Sequence, residues 1–223
     1  MKRFVAAEPP PRPWLERTGG RRVHLPTVDR GAGSDSRIRD TLVSGHGPDL
    51  SVPSLGRLLW LAFGQTGSRR LPVTGHHPRR TSPSGGSRHP TEAYVLVFNV
   101  AGVRPGGYHY SVPHHALDEV VPGDPADFFN SDVVMLKGRI AFAPRVAIVL
   151  TSVVERSMFR YRDSRSYRVL YLDVGHLLQN LAYLAAAAGR PSYRGYAMRV
   201  SAVARYFRLE PLTEVPIAFG VLG

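Results

Sequence analysis

Two near-continuous apolar runs stand out along the chain, AYVLVFNV at residues 93–100 and RVAIVLTSVV at residues 145–154. Both are rich in β-branched and aromatic residues and too short for typical helices, which predicts two buried strands that pair with each other. GGYHYSV, residues 106–112, reads as a shorter strand, and EVPIAFGVLG closes the chain as another. Helical spacing appears in between. In SVPSLGRLLWLAFGQTG, Ser54 can serve as the cap, Leu55, Leu58, Leu59 and Leu61 to Phe63 form the apolar face, and Gly64 stops the helix. From about Ser164 to Ala188, Leu170, Val174, Leu177, Leu181 and Leu184 recur at three- and four-residue steps, with Gly189 as the stop. SAVARYFRL, residues 201–209, reads as a further helix. Pro72, Gly75, Pro78, Pro83 and the Gly85-Gly86 pair break residues 65–90 into a loop, and residues 1–50, rich in Pro, Gly and Arg, read as an extended arm with at most one short helix. The expected organisation is an arm, 1–50, and one α+β domain, 51–223, with a mixed or antiparallel sheet flanked by helices.

Composition narrows the classes. A chain of 223 residues, 43% hydrophobic, can bury one core. Asp173, His176, Gln179 and Asn180 interrupt the longest candidate for a membrane span, and MKRFVAAEPPPRPWLERTGG has no apolar run of secretory length. A soluble, cytoplasmic protein without membrane association is expected. With no cysteine, disulfides, thiolate nucleophiles, iron-sulfur clusters and thiolate zinc sites are excluded. The net charge of +12 is carried almost wholly by arginine, since Lys2 and Lys137 are the only lysines. Residues 69–90 and 190–208 each contain five arginines and no Asp or Glu, so two segments can build a basic surface suited to an anionic ligand. Few stacking aromatics beyond Tyr193 and Tyr196 interleave these segments, which argues against nucleic acid.

Ordinary catalytic signatures are missing: there is no G-x-S-x-G, H-E-x-x-H, G-x-x-x-x-G-K-[ST] or strand-linked G-x-G-x-x-G. The adjacent pairs His76-His77 and His114-His115 match no common ligand spacing, so no metal is expected. RTSPSGGSRHPTEAYVLVFNV is the informative stretch. A Pro-Ser-Gly-Gly turn at a strand entrance lets a flat ligand approach backbone donors, although the same composition also describes a plain surface turn.

This stretch resembles the flavin-binding segment of the nitroreductase superfamily, in its SagB-type branch. That branch's R-x-x-P-S-[AG]-G-x-x-[HY]-P-x-E core falls on Arg80, Pro83, Ser84, Gly85, Gly86, His89, Pro90 and Glu92, and its next strand and turn on Gly107, Tyr108, His109, Tyr110, His115 and Leu117. A second block, RSYRVLYLDVGHLLQN, is similar to the family's R-x-Y-R-x-x-x-x-D-x-G-H helix, on Arg165, Tyr167, Arg168, Asp173, Gly175 and His176, with Gln179 and Asn180 following. The terminal strand agrees more weakly.

The resemblance covers about residues 54–223. It implies noncovalent FMN at a homodimer interface, an α+β sheet, and hydride transfer with a small-molecule or peptide substrate, usually a peptide-derived heterocycle or another natural-product intermediate. Glycines 85 and 86 would then clear space for the ring, with Arg79, Arg80, Pro83, Ser84, His89 and Gln179 as further cofactor contacts. A leader peptide or acidic carrier would suit the basic surface. The chain departs from the pattern twice. The family's early R-R-S-x-R motif for the FMN phosphate is represented only by DSRIRD, where Arg39 matches cleanly and Arg37 is displaced. The K-Y-x-x-R of azoline-oxidising members meets FRYRDSR, so that Arg160 or Tyr161 stands where the lysine belongs. An arginine is a poor base at neutral pH, which leaves proton abstraction to Tyr161 or water. Two alternatives remain: an NAD(P)H-dependent reductase of nitro, quinone or enone compounds, and a non-catalytic basic scaffold subunit.

Overall fold

Every residue from Thr91 to Val97 and from Val146 to Ser152 is buried, because both faces of the strands they form are covered. The structure is a computed structural model that describes residues 14–17, 19–28, 50–71, 75–136 and 138–223. Arg37 and Arg39 therefore lie outside the described residues. In chain order the elements are β1 (Arg22–His24), α1 (Val52–Phe63), β2 (Gln65–Leu71), β3 (Gly75–Arg80), β4 (Thr91–Val97), β5 (Gly106–Ser111) and β6 (Ala116–Pro122). After a short helical stretch at Ala126–Phe128 that runs into a π turn at Phe129–Val133 come β7 (Val146–Val153), α2 (Val154–Tyr161), α3 (Tyr167–Ala187), β8 (Ser192–Gly195), α4 (Val200–Tyr206) and β9 (Glu214–Leu222).

Seven strands form one sheet in the order β1-β6-β5-β4-β7-β9-β8, with every neighbouring pair antiparallel. The two apolar runs pair as their composition predicts, Ala93 opposite Leu150 and Val97 opposite Val146. Alternation along β4 divides its side chains between two cores. Ala93, Val95 and Val97 pack with α1 and α3, whereas Tyr94 and Leu96 pack with Val133, Val203 and Phe207 on the other face. That double burial is why β4 and β7 read as continuous apolar runs without polar alternation.

Three expectations change. The cap of α1 is Ser51, whose hydroxyl accepts from the Ser54 N–H, with Pro53 in the first turn where its missing N–H costs nothing. Residues 65–90 are not all loop, because β2 and β3 pair as a separate two-stranded hairpin. Part of the N-terminal segment also joins the sheet. Arg22 grips Asp118 at 2.5 and 2.9 Å beside the β1–β6 pairing, and Arg17 reaches the Tyr94 hydroxyl and Glu214. No helix among the described residues is long and apolar enough to cross a membrane.

Candidate active site

The Pro83-Ser84-Gly85-Gly86 turn lies between β3 and β4, and α3 straps it down from across the fold. Asp173, buried on the inner face of α3, accepts from the Ser84 hydroxyl at 2.6 Å and from the Gly85 N–H at 3.1 Å. Ser84 in turn accepts from the His89 N–H at 2.8 Å, so one oxygen closes the turn on itself. Further along α3, Asn180 donates to Ser82 at 2.7 Å, and Ser82 donates to the Ala62 carbonyl of α1 at 2.6 Å. Burial pushes the Asp173 carboxyl up, and the Ser84 and Gly85 donors oppose that rise.

Beneath the turn sits a buried ionic cluster. Arg156 of α2 donates to Glu92 at 2.5 Å and to the His89 carbonyl at 2.9 Å, and His109 of β5 contacts the other Glu92 oxygen at 2.8 Å. Burial works against charge on Glu92, but Arg156, His109 and Arg80 prevail and bring its carboxyl down to about 2. Desolvation lowers Arg80 to about 10. Burial first, and Arg80 second, pushes His89 down to about 3, so its imidazole is neutral at pH 7. Arg156 thus ties the helix that carries Tyr161 to the strand and to the turn in one contact set.

The two glycines face protein. A Cβ on Gly85 would fall 2.4 Å from Val169 Cγ1, and one on Gly86 would fall 2.3 Å from the Tyr161 hydroxyl. Gly86 also holds φ +62°, where L residues are strained. On the side where a Cβ would stand, the missing side chains let α3 and the end of α2 close on the turn. Gly86→Ala is expected to cost about 1–2 kcal/mol from the left-handed backbone and to displace Tyr161, seen as a lowered unfolding midpoint with altered tyrosine solvent accessibility.

A small cleft opens between the turn, α1 and α3, lined by Phe63, Arg80, Ser82, Ser84, His89 and Thr91 among others. Thr91 Oγ1 is buried there with no hydrogen-bond partner among the described residues.

A family model described as the nitroreductase family matches residues 48–223, the stretch that contains every strand of the sheet but β1, together with the turn and the Asp173 and Arg156 that hold it. The chain belongs to the nitroreductase family. This nitroreductase-family chain is 35% identical over 174 residues to the trifolitoxin-processing protein TfxB of Rhizobium leguminosarum bv. trifolii, an overlap of 74% of this chain and 45% of that protein. Its fold matches a nitroreductase-like crystal structure from Anabaena variabilis at TM-score 0.76 and 26% identity, covering 99% of this chain and 42% of the other. A chain of the E. coli microcin synthetase McbBCD complex, solved with truncated pro-MccB17 bound, matches at TM-score 0.65 and 27% identity over 78% of this chain and 64% of that one. The chain spans less than half of the first two of these relatives. Membership in the nitroreductase family agrees with the antiparallel α+β fold just described.

Within this nitroreductase-family fold the expected site residues divide. Arg80, Pro83, Ser84, Gly85, Gly86 and His89 come together at the turn, and Tyr161 arrives from the end of α2. Arg160 and Arg79 are exposed, Arg79 because alternation along β3 turns it away from Arg80. Gln179 is also exposed and accepts from Arg194 of β8 at 2.6 Å, away from the turn. Sequence reasoning missed Arg156 altogether: its partner Glu92 is 64 positions away, and nothing in VERSMFRY marks one arginine for burial. Among the described residues no cluster of His, Cys, Asp or Glu could hold a metal ion.

Proposed function

We propose that the chain is an FMN-dependent oxidoreductase that dehydrogenates a peptide-derived heterocycle or a related natural-product intermediate. The observation that carries this reading is the turn itself: Asp173 and Arg156 fix Ser84, Gly85, His89 and Glu92 of its R-x-x-P-S-G-G-x-x-H-P-x-E segment, while the Arg88 Nε and the Thr91 hydroxyl are buried without hydrogen-bond partners among the described residues. The groups present fit FMN, whose phosphate and ring heteroatoms need donors. Arg80 lines the cleft, and the buried Thr91 hydroxyl has no partner there among the described residues. Arg80, the 83–86 turn and His89 would hold the cofactor, with Arg37 and Arg39 as further phosphate ligands. FMN when bound supplies a hydride acceptor. The chain supplies the rest: the turn orients, neutral His89 adds no competing charge, and Tyr161, beside Gly86, is positioned to take the substrate proton in place of the absent lysine. The processing and synthetase names of the two peptide-related relatives support a peptide substrate.

The proposed assembly is a homodimer through α3. Its outward face carries Tyr171, Leu172 and Tyr183, each more than half exposed, together with Gly175, around which there is open space. Exposed apolar groups aligned on one helix face mark an interface, and a mid-helix glycine, costing about 1 kcal/mol relative to alanine, suits close helix approach. Leu172→Arg is expected to shift the protein from dimer to monomer, read by light scattering after size exclusion.

Anaerobic mixing tests the chemistry. The FMN-loaded protein should lose its visible absorption when given a thiazoline- or oxazoline-containing peptide. Bleaching by NADPH alone, with no response to the peptide, would instead establish the reductase alternative.

A further inference from the structure

The β2–β3 hairpin stands outside the seven-stranded sheet, and the residues around it have an unusual charge balance. Residues 50–91 contain Arg57, Arg69, Arg70, Arg79, Arg80 and Arg88 and no acidic side chain at all. The first carboxylate beyond them, Glu92, is buried and already held by Arg156 and His109. On the hairpin, Arg69 is opposite His77 and Arg70 opposite His76. Arg69 and Arg70 are exposed. Beyond the hairpin the arginines continue along the chain. Arg88 follows the glycine turn, its electrostatic neighbours are Tyr161 and Arg160, and its buried Nε has no hydrogen-bond acceptor among the described residues. Burial first, then Arg88, disfavours a charge on His77. Along the chain this cationic track runs from the hairpin to Arg88, two residues past the Gly86 that meets Tyr161, and no carboxylate among the described residues pairs with Arg69, Arg70 or Arg88.

The backbone adds direction to this track. β2 pairs only with β3, and its outward N–H and C=O groups make no backbone hydrogen bond to any other described residue. The other edge is less suited to pairing, since Pro78 of β3 has no N–H to offer. An unpaired edge is a template for an added strand. Here the flanking arginines select what can add: an extended segment bearing carboxylates is drawn in, and a second copy of this basic edge is repelled.

We propose that the β2 edge, with Arg69, Arg70 and Arg88, is the docking ribbon for an extended acidic segment of the peptide on which the enzyme acts. This rests on the peptide-substrate part of the proposed function and adds to it a place and a sequence requirement. Docking along β2 brings the chain of the bound peptide toward Arg88 and Tyr161, so recognition and chemistry are joined on one track. Carboxylates in the docked segment meet guanidinium groups that have no acidic partner among the described residues.

The test uses the full chain saturated with FMN and a short fluorescein-labelled peptide of alternating Glu and Val, followed by fluorescence anisotropy. Binding is expected, weakening steeply as salt is added. Arg69→Glu with Arg70→Glu should weaken it at least about tenfold, whereas Arg139→Glu with Arg205→Glu, the same charge change at exposed positions elsewhere, should leave it within about twofold. Flavin content, measured on the same samples, should be equal in all three proteins. Equal loss in both double variants would overturn the proposal by showing an effect of net charge alone. Competition by inorganic phosphate as effective as that by unlabelled peptide at equal ionic strength would also overturn it, as would recovery of strong peptide binding only after FMN is removed. Absence of flavin with peptide binding intact would sink the FMN reading and leave the ribbon standing. Flavin present with no peptide binding would do the reverse.

Discussion

Arg156→Met is expected to destabilise the protein by about 3–5 kcal/mol, because it leaves the Glu92 carboxylate buried without its main counter-charge. Methionine nearly matches the aliphatic length of arginine, so the loss reports the ion pair and not a large cavity. The His89 carbonyl loses its donor in the same substitution. Urea unfolding monitored by tryptophan fluorescence measures the change. Combining Arg156→Met with Glu92→Gln should recover much of it, since a buried charge pair replaced on both sides often costs little. A loss below about 1 kcal/mol in the single variant would mean that water reaches Glu92. The same cluster sets an acid limit. A carboxylate held near 2, against an ordinary value of 4.5, contributes stability that is complete above about pH 4.5 and lost as pH falls toward 2. The Glu92→Gln variant should lose less stability over that window than the parent.

Tyr161→Phe is expected to lower turnover by about 10²–10⁴-fold, the usual range for removing a positioned proton acceptor. The ring keeps its packing against Gly86 in the variant, so flavin content and unfolding midpoint should stay close to the parent. That split separates a chemical role from a structural one. Arg160, exposed one residue before it, cannot share the task at neutral pH. Equal turnover in the two proteins would move proton abstraction to water.

The elements that were legible in the sequence are those buried on both sides or along one long face. β4, β7 and β9 show it as apolar runs, and α3 shows it as leucines and valine at helical steps ending at Gly189, which takes φ +64°. The hairpin was not legible, because GQTGSRRL and GHHPRR carry no apolar alternation and meet solvent at many positions. α2 was hidden for a similar reason: VERSMFRY follows β7 with no break residue between them, and β8 is only four residues long. At the site, the turn could be read from its motif but its fastening could not. Ser84 and Asp173 are 89 positions apart, and only the packing of α3 on the sheet brings them together. Glycine signals close approach without naming what approaches, and on the Cβ side of Gly85 and Gly86 those groups are Val169 and Tyr161.

The central claim is that the Asp173-strapped turn serves an FMN-dependent oxidoreductase, and the protein's own absorption spectrum tests it most directly. Purified protein should show flavin bands, and the chromophore released by heat should be FMN by mass spectrometry, at about one per chain. A colourless protein that takes up no added FMN would contradict the claim.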